Sequence, residues 1–111
     1  MAMFPAASIN KSQDISSAFT FNTTYVQEYS AKLIGGLVIL NLRLKSGVVD
    51  ETNIGSVASQ YAPTELTRGV LFDRSNGHAN GFVVTNNNFM INYLGTTTVG
   101  NNFGQVVYPI A

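Results

Sequence analysis

The chain has 111 residues and no net formal charge: 6 Lys and Arg stand against 6 Asp and Glu, with one His, no Cys and no Trp. Charged residues are 11 % of the total, less than half of the roughly 25 % usual in soluble domains, and 12 Asn, 10 Thr and 9 Ser make up the difference. These numbers exclude a disulfide framework and a thiolate metal site, and they argue against nucleic acid or anionic membrane as partner, since both recruit a basic surface.

The length allows one domain, which buries roughly 65 % of its unfolded surface. Residues 1–15 (MAMFPAASINKSQDI) show no clean periodicity and read as an extended N-terminal arm, with the folded part over 16–111. Met1–Ala7 lacks the charged start of a signal peptide. Phe19 and Phe21 begin a period-2 pattern. Tyr25, Gln27, Tyr29 and Ala31 then set one face of a strand, with Val26, Glu28 and Ser30 on the other. Gly35-Gly36 breaks it. Val38, Leu40, Leu42 and Leu44 alternate with Ile39, Asn41, Arg43 and Lys45, the clearest half-buried strand in the chain. The longest apolar run, Leu33–Leu40, is far short of the about 20 residues that span a bilayer.

Ser46-Gly47 is a turn, and weaker strand signals continue through Val48-Val49 and Asn53–Ser59. Tyr61-Ala62-Pro63 must be extended, because the residue before proline is pushed out of the helical region. Pro63–Arg68 is the only helix-like fragment, one turn at most. Gly69–Asp73, Gly81–Thr85 and Phe89–Leu94 read as strands. Ser75-Asn76-Gly77 and Asn86–Asn88 read as turns, the latter because Asn tolerates positive φ. Gly95–Gly104 reads as a loop, and Gln105–Ile110 as a last strand that Pro109 places at an edge. About eight short strands with turn signals every 8–12 residues predict an all-β fold, a small antiparallel β-barrel or β-sandwich.

Chemistry-bearing residues are few. His78 is the only imidazole, so a zinc site has no further nitrogen ligand. The carboxylates Asp14, Glu28, Asp50, Glu51, Glu65 and Asp73 are not paired by sequence in the manner a glycosidase needs. No nucleophile elbow or phosphate-binding glycine loop is present. No cofactor is expected. The densest polar and aromatic cluster is Asp73, Arg74, His78, Asn80 and Phe82. Carbohydrate sites use this mixture: amide and charged groups hold vicinal hydroxyls, and a ring covers the apolar sugar face.

The segment order is similar to a known family. Ala31–Gly47 (AKLIGGLVILNLRLKSG), Asn53–Pro63 (NIGSVASQYAP), then GVLFD, GFVVT, FMINYLG and a terminal VVYPIA resemble the head domain of receptor-binding proteins in tailed phages of lactococci and related Gram-positive hosts. The resemblance covers about residues 25–111. It implies a β-barrel head assembled as a homotrimer on the baseplate at the virion tail tip, next to other tail proteins. Such a head adsorbs to host cell-wall saccharide without catalysis or membrane insertion. Carried over by position, it implies saccharide contacts from Asp73, Arg74, His78, Asn80 and Phe82. Without Trp, the stacking ring would be Phe82, Phe72 or Tyr61. Residues 1–24 are too short for the shoulder and linker of longer relatives, so an isolated head or a fragment is expected. Two alternatives stand beside this reading: an accessory baseplate module that binds no sugar, and a small glycan-processing enzyme needing two close carboxylates.

Overall fold

Residues 12–75 and 77–110 are described by a computed structural model of the chain. They form nine strands: β1 Ser12–Asp14, β2 Phe19–Phe21, β3 Val26–Ile34, β4 Leu37–Leu44, β5 Asn53–Val57, β6 Thr67–Asp73, β7 Ala79–Val84, β8 Met90–Leu94 and β9 Asn102–Pro109. Among the described residues there are two 3-10 turns, Ser16–Ala18 and Ser59–Tyr61, and no α-helix. The expected turn of helix at Pro63–Arg68 does not form, and Thr67 already opens β6. The ninth strand, β1, lies within the segment expected to be the arm. Residues 1–11 of that segment lie outside the described residues.

All nine strands pair antiparallel in one sheet of order β1-β3-β4-β9-β6-β7-β8-β5-β2. The two outermost strands are consecutive in the chain, joined only by Ile15–Ala18. Such a link reaches at most about 17 Å, so the sheet must curl until its edges nearly meet. The link is itself bonded to both sides. Ile15 N–H donates to Ala31 O at 2.9 Å, Ala31 N–H donates to Ser16 Oγ at 3.0 Å, and Ala58 N–H donates to Ala18 O at 2.8 Å. Between β2 and β3, where no ladder runs, the rings of Phe21 and Tyr29 meet at 4.6 Å. The result is a small antiparallel barrel, the fold class the alternation predicted.

The inward row Val38, Leu40, Leu42 and Leu44 of β4 is buried as expected. It packs with Ile15, Phe19, Ile54, Leu71, Phe82, Ile91, Tyr93, Val106 and Tyr108 in one core. β3 departs from strict alternation. A bulge between Val26 and Glu28 turns both Val26 and Ala31 inward, five residues apart. Alternation alone sets Val26 and Ala31 on opposite faces; the extra residue brings them to the same side. β9 is an interior strand between β4 and β6, contrary to the edge position that Pro109 suggested. β6 pairs with β9 only as far as Gln105, so the missing Pro109 N–H disturbs no ladder bond on that side. At the β7–β8 turn the positive φ falls on Phe89, at 60°, and on none of the three asparagines. Asn88 instead uses its side chain, whose Oδ1 accepts from Met90 N–H at 3.3 Å and from Thr85 Oγ.

The register sorts the links between strands to two ends. Residues 22–25, 45–52, 74–75, 77–78 and 95–101 gather at one end, and 35–36, 58–66 and 85–89 at the other. Ser12 and Ile110 both lie at the second end, beside the Gly35-Gly36 hairpin.

Gly69 faces Phe82 across β6 and β7, and a Cβ there would stand 2.3 Å from the Phe82 ring. Gly69→Ala is therefore expected to cost about 1–3 kcal/mol by overpacking. Chemical denaturation of the purified variant measures this, and an unchanged midpoint would refute the packing described.

Candidate functional site

The six residues singled out by sequence divide by burial and by position. Asp73, at the end of β6, is 1 % exposed. Its Oδ1 accepts from Ser75 N–H at 2.9 Å and its Oδ2 from Val99 N–H at 3.5 Å, so the carboxylate joins the β6–β7 turn to the β8–β9 link. Phe82 has no exposed surface and offers no ring face to a ligand. It points inward because β7 alternates, and it covers the strip left bare by Gly69. Arg74 and His78 are exposed. The Arg74 N–H donates to Asn101 O at 3.2 Å, and the His78 carbonyl accepts from Asp73 N–H at 2.8 Å. Asn80 is half-buried; its amide donates to Asn102 Oδ1 at 3.2 Å, and its oxygen accepts from the Thr96 N–H and hydroxyl, both at 3.2 Å. Tyr61 stands at the opposite end of the barrel, where its carbonyl accepts from the Tyr108 hydroxyl at 2.8 Å. The structure thus brings Asp73, Arg74, His78 and Asn80 to one end, sends Phe82 into the core, and leaves Tyr61 apart.

These polar residues belong to a network that fixes the loops of that end. Asn102 is buried and donates to Gly100 O at 3.3 Å, Thr98 donates to Lys45 O at 2.7 Å and accepts from Val48 N–H at 2.9 Å, and Asp50 accepts from Gly95 N–H at 2.9 Å. The Tyr93 hydroxyl bonds to Thr96 O. Its pKa is pushed up to about 12, by burial first and then by the carboxylates of Asp73 and Asp50. Glu65, another of the six carboxylates, lies in the 58–66 link at the other end. Among the described residues no three His, Asp or Glu side chains are grouped to share a metal ion.

The outer face of the sheet carries a concavity that sequence reading passed over. It measures about 560 Å³ and is lined by β3, β4 and β9. Two rows of side chains cross it, fixed by register. One row is Glu28, Arg43 and Phe103, continued on β6 by Phe72; the other is Ser30, Asn41 and Gln105, continued by Val70. Within the first row Arg43 pairs with Glu28 at 3.3 Å, and the rings of Phe103 and Phe72 meet edge-on at 6.2 Å. Within the second, the Gln105 amide donates to Asn41 Oδ1 at 2.9 Å. Phe103 and Phe72 remain 43 % and 46 % exposed. Phe72 stands clear because its neighbour on β7 is Ala79, and Val70 because its neighbour is Gly81. The same small residues leave a second, smaller depression of about 290 Å³, bordered by Arg68, Asn80, Gly81 and Leu94.

The outward positions of β4 were readable by alternation. Phe103 was not, because it falls in the stretch expected to be loop. No protein-family model matches the chain, and no curated protein sequence is significantly similar to it.

Two outcomes follow for the loop end. Asp73→Ala removes a buried acceptor of two backbone N–H groups and is expected to cost about 2–3 kcal/mol, with faster hydrogen exchange at Val99. A variant as stable as the parent would remove the carboxylate from its structural role. Because the folded state holds the Tyr93 proton more tightly than the unfolded chain, stability is full below pH 10 and falls as pH rises through about 12. Burial raises Tyr108 in the same direction. Tyr93→Phe should make the alkaline loss shallower in pH-dependent denaturation.

Proposed function

We propose that the protein is a non-catalytic adhesion module of a phage tail, a homotrimer that binds cell-wall saccharide of a Gram-positive host. The observation that carries this reading is the groove on the outer face across β3, β4 and β9. Its lining combines an amide pair, a hydroxyl, a carboxylate–guanidinium pair and an exposed ring, all in fixed register. Amide and charged groups satisfy vicinal hydroxyls, and the ring covers an apolar sugar face. Arg74 and His78 are exposed at the loop end, the end to which the Phe72–Phe103 pair lies nearer. The resemblance of the segment order to phage receptor-binding heads points the same way.

The outer face also supports self-association. Toward the hairpin end the same strands present Leu37, Ile39 and Val107, and Leu37 and Val107 are exposed. These outward apolar positions, with exposed Lys32 beside Ile39 at their β3 margin, suit part of an interface. They suit equally well a packing surface for another tail protein, the accessory-module reading.

Calorimetric titration with purified cell-wall polysaccharide, together with light scattering, tests the proposal. The expected results are saturable binding and a mass near three times 11.9 kDa. A monomer would remove the homotrimer, and failure to bind any host polysaccharide would leave the accessory reading in its place.

A further inference from the structure

The groove runs across the strands and not along them. Its polar and aromatic groups come from three neighbouring strands, β3, β4 and β9, with two or three residues from each. At about 4.8 Å per strand the lining spans about 10 Å, and the Phe72 ring on β6 extends it to about 14 Å. That is the length of about two to three linked pyranose rings laid side by side across the sheet. Tyr29 on β3, 38 % exposed, also borders the lining. At one margin lie Glu28 and Ser30 on β3, and at the other the row runs on through Phe103 to Phe72 and Val70.

The groove is also electrically balanced. Its only charges are Glu28 and Arg43, and they pair with each other. An anionic polymer would meet the Glu28 carboxylate together with an Arg43 already partnered. A neutral sugar can bridge both through its hydroxyls without displacing net charge.

From these two features we infer that the groove takes an internal run of about two to three residues of a neutral linear polysaccharide, lying perpendicular to the strands, and not a terminal monosaccharide or a phosphate-bearing unit. This rests on the saccharide-binding reading above. Asn41 and Gln105 hold the central residue, Arg43 and Glu28 hold hydroxyls toward β3, and Phe103 stacks against the residue toward β6. The edge-on Phe72 ring fixes the tilt of Phe103.

The test is a length series. Host cell-wall polysaccharide is partly hydrolysed, size-fractionated from monomer to hexamer, and titrated into the full chain alongside the intact polymer. Affinity is expected to rise at least about tenfold from monomer to trimer and then level off. It should change less than about twofold when salt is raised tenfold, because no counterions are released. Asn41→Ala and Phe103→Ala, both at exposed positions, should each weaken trimer binding at least about tenfold while the far-ultraviolet spectrum stays unchanged. Should Phe103→Ala fail to fold, Gln105→Ala takes its place. Equal affinity for monomer and trimer overturns the inference, as does steep weakening by salt or indifference to the groove substitutions, while intact polymer still bound upholds the adhesion reading. Absence of binding to the intact polymer and to every fragment overturns both.

Discussion

Everything in this barrel depends on one covalent constraint: the sheet's two edge strands are neighbours in sequence. Residues 12–22 hydrogen-bond first to β3 and then to β5, so a single short segment ties the two margins of a seven-stranded ribbon. Ile15 and Phe19 anchor it, each 3 % exposed and each in the shared core. An open nine-stranded sheet would present two rows of unpaired backbone groups, a template for aggregation. Here the seam is narrowed until the Phe21–Tyr29 contact covers what hydrogen bonds do not. Gly55 makes room for that contact, since a Cβ there would stand 2.5 Å from the Phe21 ring.

Closure has a consequence on the outside. A sheet pulled into a barrel has a curved outer face, and side chains on it are covered only by their cross-strand neighbours. In the groove on β3, β4 and β9 polar neighbours pair with one another, giving its amide and ion pairs. On β7 they are Ala79 and Gly81, which leave Phe72 and Val70 standing free. Exposed apolar surface here is thus a matter of which small residues sit alongside. The ion pair contributes little to stability at its exposure. Its consequence is chemical, since it neutralises the one charged spot in the groove.

How much of this could be read in advance follows from the range of each contact. The alternation of Val38–Lys45 fixes the inner and outer faces of β4 locally, and the buried row is found where the pattern put it. The β3 bulge is set by pairing with β4, so a local pattern sets Val26 and Ala31 on opposite faces although both are buried. The groove needs still longer range. Asn41 and Gln105 meet across 64 positions, and Phe103 becomes a strand residue only because β4 and β6 flank it. A cluster in sequence misleads for the same reason. Asp73, Asn80 and Phe82 are close along the chain, but alternation and the turn direct Phe82 into the core and Asp73 onto backbone N–H groups. Such satisfied, buried polar groups secure loops; they have no bonding capacity turned to solvent.

The scarcity of charge, first met as a bare composition, has a physical sense once the faces are assigned. Under the proposed reading, saccharide contacts are weak singly, about 4 kcal/mol at the millimolar level, so a binding module gains from losing little entropy per contact. Side chains on paired strands meet that demand better than side chains on free loops, because register fixes their spacing before any ligand arrives. Asn41 and Gln105 are already bonded to each other, as are Glu28 and Arg43. Each pair holds its partner's rotamer while leaving further donors and acceptors open. Long, strongly hydrated charges would lose more freedom and more solvation in the same place. A neutral amide- and hydroxyl-rich sheet face therefore suits many weak, repeated contacts, where avidity and not single-site strength sets retention.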